Sequence, residues 1–419
     1  MPIVEAPNKE YLELNFCGKA IVNRGKNEQV TFERISDNTF RLSEGRVGIE
    51  VGRYKPISRE YPMDDWNIQF MRFINKGYIV TKEVKQAKKE ILKSGFSFGG
   101  CSYKELEDTS VQSVITNLIR YTNAALSSQY KIKVSDITDY QMKMGREILD
   151  NLTDNYESMS VSAFNNELYR LFSIVPRRMD FINKVIAKTD SDKQNVLARE
   201  QELFDLMISQ VKNHSLVADT KPTVLDAFDL SWREATEQEK INIIRKMGSI
   251  GNRLSNAWRI TNNKTERCFN SYCKKENLTE QDGISHLFHG SRNENFWSII
   301  TNGLTINPKN VVITGKAFGN GTYFAPNANK SYGYTSARGS RWANGNSNVS
   351  YMGIYKVATG KCYDPIGVDT SLTWKRLQEK CPGAHCTWAT SHNSGFMMDE
   401  VIVYQDFQST IEYLVELKI

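Results

Sequence analysis

His286-Leu-Phe-His289-Gly290-Ser291-Arg292 opens the part of this 419-residue chain that decides its fold. Three further segments follow in order: Phe318-Gly-Asn-Gly321-Thr-Tyr323-Phe324-Ala325, Asn329-Lys330-Ser331-Tyr332-Gly-Tyr334, and Met398-Asp399-Glu400-Val401-Ile-Val-Tyr404. Singly, each says little. A lone histidine is usually a hydrogen-bonded structural residue, and an acid at the start of an apolar strand is often a solvated strand end. The surrounding texture adds an architecture: short strands at 321–324, 353–357 and 400–404, a last strand near 412–419, and loops crowded with glycine and asparagine.

Together and in this order, the four segments resemble the catalytic domain of the poly(ADP-ribose) polymerase family, over roughly 222–419. The resemblance implies a mixed α/β ADP-ribosyltransferase domain with a split antiparallel β core. It also implies a substrate, NAD⁺, with no permanently bound cofactor. Splitting the bond between nicotinamide and ribose leaves an oxocarbenium-like sugar, as in glycoside hydrolysis. The neutral leaving ring needs positioning and not protonation. By resemblance, Tyr323 and Tyr334 sandwich the nicotinamide, while Gly290 and Ser331 meet its carboxamide. His289 and Ser291 hold the adenosine side, and Ala325 belongs to the same cofactor-binding motif. Glu400, with His289 and Tyr323, forms the catalytic set. Its negative charge bonds the nicotinamide ribose where positive charge develops, and it polarises the attacking hydroxyl. Lys330, beside Ser331, either orients this network or is an exposed lysine.

Two family positions depart from the pattern: a basic cofactor grip falls at Thr305 and an aromatic at Lys316. Rival nucleotide folds are not supported. Gly319-Asn-Gly321 lacks the third glycine of a dinucleotide fingerprint, and Gly315-Lys316 is followed by Ala317, so it is no P-loop.

Upstream, two other textures appear, making the chain a multidomain α+β protein. Residues 105–215 read as an all-α bundle, with apolar stripes at Val111, Val114, Ile115, Leu118, Ile119, at Phe164, Leu168, Leu171, Phe172, and at Val196, Leu203, Phe204, Met207. Ser160 and Ser162 are candidate caps, and 188–193 reads as loop. This region resembles the family's helical regulatory domain through 168–175 and 198–209. Residues 15–100 read as a small α+β module, with strands at 29–34 and 39–42 and one helix capped by Asp64 or Asp65. It resembles a WGR domain, a nucleic-acid-sensing module, through Glu44-Gly45-Arg46-Val47-Gly48, with Glu44 in place of the naming tryptophan. Arg46, with Lys85, Lys88 and Lys89 from a basic stretch over 72–93, are the candidate DNA contacts.

The net charge of +6 permits nucleic-acid binding without demanding it. Seven cysteines, an odd number on a long chain, suit a reducing intracellular setting: nucleus in a eukaryotic source, cytoplasm or nucleoid in a bacterial one. Cys381-Pro-Gly-Ala-His385-Cys386 is the nearest approach to a zinc pattern, and Cys268 with Cys273 completes it poorly, so no metal is assigned. No apolar run approaches the ~18 residues of a membrane span, and the first residues do not read as a secretory signal. The expected activity is DNA-break-activated transfer of ADP-ribose to protein acceptors, the enzyme itself included, and to growing chains. A mono-ADP-ribosyltransferase and a weakly active DNA-binding scaffold are the alternatives.

Overall fold

The computed structural model describes residues 9–18, 26–46, 56–85, 96–98, 101–130, 137–179, 182–211, 222–306, 317–336 and 348–418. The chain forms two compact units: 1–94 with 124–211, and 95–123 with 212–419.

In the first unit a five-stranded antiparallel sheet runs in the order Ile57–Pro62, Thr39–Arg46, Lys26–Arg34, Lys9–Gly18, Ile79–Lys85. Alternation along these strands puts Val30, Phe32, Phe40 and Leu42 inside. The helix Trp66–Ile74 drops Trp66, Phe70 and Phe73 onto them at helical spacing. Trp66 lies 5.1 Å from Phe32 and 4.9 Å from Phe40 between ring centroids. Asp65 precedes this helix without a capping bond, because the chain enters through the 3-10 turn Met63–Asp65. Helices Asp139–Asn155, Val161–Ile174 and Asp190–Val211 build a second core around Leu149, Phe164, Leu168, Phe172 and Phe204. Ser160 caps the middle one, its hydroxyl accepting from the Ala163 amide.

The segment read as loop over 188–193 is helical from Asp190 onward. Its lysine is the reason a polar reading misleads. Lys193 is buried and donates to the carbonyls of Tyr156 (2.8 Å) and Met159 (2.7 Å), satisfying backbone acceptors just beyond a helix end. Of the candidate DNA contacts, Arg46 is exposed at the end of its strand, and Lys85 closes the strand Ile79–Lys85. Lys88 and Lys89 lie outside the described residues, as does Lys316. Glu44 sits half-buried on the Thr39–Arg46 strand, where its charge adds to that of Glu28 in pushing up the Tyr78 pKa, after burial and the Tyr78–Glu28 hydrogen bond.

Besides the short hairpin Phe96–Phe98 with Cys101–Tyr103, the second unit holds two larger sheets among the described residues. One runs Ile284–Gly290, Val349–Ala358, Ser409–Lys418, Leu254–Asn262, Leu230–Glu234, antiparallel throughout. The other runs Thr322–Phe324, Glu400–Val403, Cys386–Ala389, Cys362–Tyr363, antiparallel except for its last, parallel pair. They touch where Phe288 and Ala325 exchange two backbone hydrogen bonds of 2.9 Å. The stripe Val111, Val114, Ile115, Leu118, Ile119, read with the helical region, is buried here with Trp232, Trp258 and Trp297. The boundary read near 105 is therefore not where the packing divides. An apolar stripe states that a helix face is covered, and not by what. Trp258 Nε1 donates to Ser110 Oγ (3.0 Å), and the Thr122 hydroxyl donates to the Glu294 carbonyl (2.8 Å), fixing this helix on the sheet.

Candidate active site

The site forms where the two sheets of the second unit meet. His289 is next to last in its strand, and its Nδ1–H donates to the carbonyl of Tyr323 (2.9 Å). A carbonyl only accepts, so the neutral ring is fixed as the Nδ1–H tautomer and Nε2 remains an acceptor. Burial holds the imidazole pKa below its usual value, against the opposing pull of the Tyr323 carbonyl. Phe324 and Tyr355 stand edge-on to the ring at 5.7 and 6.0 Å. The side chain is thus a neutral hydrogen-bond acceptor held in register, the group needed to receive a ribose hydroxyl.

Gly290 follows, and a Cβ there would stand 1.9 Å from the Ser331 carbonyl oxygen. Only glycine lets this strand end meet the helix Ala328–Tyr332, which Asn327 caps. Ser331 is buried, and its hydroxyl donates to the Phe288 carbonyl (3.0 Å), leaving its own lone pairs as acceptors. Ser291 Oγ accepts from Asn295 Nδ2 (3.1 Å), so the 3-10 turn Asn293–Asn295 sets its position.

Tyr323 is held by its hydroxyl, which accepts from the Phe318 amide (2.9 Å) and donates to the Gly319 carbonyl (3.0 Å). Burial, the largest cause, and the charge of Glu400 push its pKa up. That hydroxyl fixes the 318–319 turn. The turn needs glycine at 319, where φ is +71° and a Cβ would strike the Leu372 carbonyl. Tyr334 is 57% exposed, an uncovered aromatic face, and its pKa is likewise raised by burial and by Glu400.

Glu400 begins the strand Glu400–Val403, which pairs with the Tyr323 strand on one side and with Cys386–Ala389 on the other. Lys330 is no exposed lysine. Its Nζ lies 2.8 Å from Glu400 Oε1, donates to the Met398 carbonyl at 2.8 Å, and sits 5.3 Å over the Phe396 ring. Its side chain is 13% exposed and that of Glu400 12%. The ion pair thereby aims the carboxylate in a largely dry setting. Asp399, quoted in the motif but given no role from sequence, anchors the approach to Glu400. Its carboxylate accepts from Trp388 Nε1 (3.1 Å) and the Ser391 amide (2.8 Å). Asn295 and Asp399 carry no sequence signal of their own; their partners come from turns that only the fold closes.

The structure therefore brings His289, Gly290, Tyr323, Ala325, Lys330, Ser331 and Glu400 to the meeting point of the two sheets, with Ser291 beside them and Tyr334 open to solvent. Thr305 is exposed in the coil after the helix Phe296–Asn302. Of the zinc-like stretch, His385 Nδ1 shares a 2.7 Å hydrogen bond with the Tyr272 hydroxyl and Cys386 faces Cys362. Among the described residues no group of three or more His, Cys, Asp or Glu is placed to hold a metal ion. Nor is any helix among them long and apolar enough to cross a membrane.

A neutral acceptor, a small-residue cradle, an open aromatic and an oriented carboxylate make up the candidate site. Residues 238–419 match the family model of the poly(ADP-ribose) polymerase catalytic domain. The chain is 23% identical over 345 residues to the protein mono-ADP-ribosyltransferase PARP3 of Gallus gallus, covering 72% of this chain and 62% of that protein. It is 33% identical over 153 residues to poly [ADP-ribose] polymerase 1 of Xenopus laevis, covering 32% of this chain and 15% of that one. A putative poly [ADP-ribose] polymerase-like protein 100L of Invertebrate iridescent virus 6 is 28% identical over 187 residues, 43% of this chain and 95% of its own length. The chain thus spans less than two thirds of both vertebrate relatives. Residues 238–419 thus match a poly(ADP-ribose) polymerase catalytic domain, and these similarities support NAD⁺ ADP-ribosyltransferase activity.

Proposed function

We propose that this enzyme moves ADP-ribose from NAD⁺ to protein side chains, its own included, and onward to growing chains, and that DNA ends or nicks switch it on through the first unit. The observation that carries the transfer reading is the Lys330–Glu400 pair, which aims a carboxylate at the strand start with two tyrosines in its field. His289 Nε2 receives a hydroxyl on the adenosine side, the Tyr323 and Tyr334 rings hold the nicotinamide, and Ser331 accepts from its carboxamide. As the glycosidic bond stretches, positive charge builds on the ribose beside Glu400, so the carboxylate stabilises the transition state more than the ground state. The same carboxylate then draws the proton of the attacking hydroxyl.

DNA dependence rests on the WGR-like sequence and the exposed Arg46. The enzyme acts inside the cell, in the nucleus of a eukaryotic source or the cytoplasm or nucleoid of a bacterial one. A mono-transfer reading is favoured by one observation, the name of the Gallus gallus relative. Incubation with labelled NAD⁺, with and without nicked or blunt DNA, separates the readings. A product ladder that grows with DNA supports the proposal, and a single modified species supports mono-transfer. Absence of nicotinamide release leaves only a DNA-binding scaffold. DNA affinity that ignores salt would exclude phosphate contacts by Arg46 and its basic neighbours.

A further inference from the structure

Cys362 and Cys386 lie outside the network just described. The strand Cys362–Tyr363 runs parallel to Cys386–Ala389, and the two cysteines are register partners. Paired strands lie ~4.8 Å apart, inside the ~4.4–6.8 Å window that bridged cysteines occupy. The two sulfurs are already 3.3 Å apart, so side-chain rotation alone brings them to bonding distance. The pair is asymmetric in access: Cys362 is exposed and Cys386 is fully buried. It is asymmetric in acidity as well. The Cys386 thiol donates toward Cys362 and holds that pKa down, with burial opposing, while Cys386 itself is pushed well up.

We propose that Cys362 and Cys386 form an oxidative-modification site in the catalytic domain, a dithiol that a peroxide converts to a disulfide. The Cys362 thiolate attacks a peroxide oxygen, the O–O bond breaks, and the departing oxygen leaves as water once protonated. Cys362 is then a sulfenic acid. The Cys386 sulfur attacks the Cys362 sulfur, the S–O bond breaks, and hydroxide takes up the Cys386 proton and leaves as a second water. Two thiols lose two electrons and two protons, and one hydrogen peroxide becomes two waters. Exposure makes Cys362 the attacking thiol, and burial makes Cys386 the resolving one.

The bond would join the strand next to that of Glu400 to the edge strand beyond it. Cys386 begins the strand whose Ala389 pairs with Glu400. Tyr363 leads to Asp364, whose carboxylate accepts from the Thr390 amide (3.0 Å), the Thr390 hydroxyl (2.7 Å) and Asn393 Nδ2 (2.8 Å). The cross-link therefore ties the edge strand, which leads into Asp364, to the strand that pairs with Glu400. The proposal does not depend on how the NAD⁺ site acts.

The test treats the full chain with graded hydrogen peroxide, alkylates the remaining thiols, and maps peptides by mass spectrometry. The expected product is one peptide pair joined through Cys362 and Cys386, lighter by about 2 Da than the two thiols and restored by dithiothreitol. The cysteines are 24 positions apart, so the oxidised form should also melt several degrees higher, because its unfolded chain is constrained. Cys362→Ser, at an exposed site, should match the reduced enzyme in turnover and melting yet lose both the linkage and the oxidant-dependent rise. A Cys386 thiol that stays alkylatable while Cys362 is oxidised would overturn the proposal. So would linkage of Cys362 to Cys268, Cys273 or Cys381.

Discussion

Replacing Lys330 by methionine keeps the length of the side chain and removes its charge. Two unit charges 2.8 Å apart interact by about 6 kcal/mol at an effective dielectric of ~20. Desolvation of both groups offsets most of that in the native protein, but deleting one partner leaves the other charge buried without compensation. Such losses run ~3–5 kcal/mol. The lower end, about 3 kcal/mol, applies here because each side chain keeps 12–13% of its surface exposed. For a unit of this size that is a fall in melting temperature of roughly 6–12 °C. Lys330→Met also frees the Met398 carbonyl, so Glu400 loses both its counter-charge and the brace on the preceding backbone. Nicotinamide release, followed by labelled NAD⁺ at saturating substrate, should drop on the order of 10–100-fold with KM little changed, as expected when an interaction made in the transition state is lost. A stability double-mutant cycle with Glu400→Gln should return a coupling of ~1–3 kcal/mol. A Lys330→Met enzyme that melts and turns over like the parent, or a cycle with no coupling, would refute the assignment of Lys330 as the residue that positions Glu400.

Gly290→Ala should destabilise by at least ~1–3 kcal/mol, since its methyl meets backbone and not a movable side chain, and raise KM for NAD⁺; an unchanged denaturant midpoint would contradict the close approach to Ser331. Tyr323→Phe removes both bonds to the 318–319 turn, which should cost ~1–3 kcal/mol while leaving KM near the parent's. Loss of kcat comparable to that of Glu400→Gln would show that the hydroxyl takes part in chemistry. His289 has its pKa lowered in the fold, so on acidification the unfolded chain binds the proton first, and stability contributed by the neutral ring declines as pH falls below ~6.5. Denaturant midpoints measured across that window should show a shallower slope in His289→Gln, and KM for NAD⁺ should rise as Nε2 is protonated; a slope of the opposite sign would be evidence against the neutral assignment.

The resemblance over 222–419 was legible in the sequence because the expected chemistry calls for particular side chains at fixed places on short strands. His289, Tyr323, Ser331 and Glu400 carry that demand in local patterns, and alternation or helical spacing located Phe40, Leu42, Phe70 and Phe164 inside. Local pattern cannot name a distant partner. The stripe beginning at Val111 showed a covered helix face, but the covering residues, Trp232, Trp258 and Trp297, come from more than a hundred positions away. Lys193 and Lys330 look like solvent lysines in sequence, and each is buried because carbonyls or a carboxylate from another segment meet its ammonium. The nearness of Cys362 and Cys386 likewise belongs to strand register, which nothing within either segment specifies. Sequence by itself determined which groups the enzyme owns; the tertiary structure decided which of them face one another, because burial and charge pairing depend on distances that only the folded chain sets.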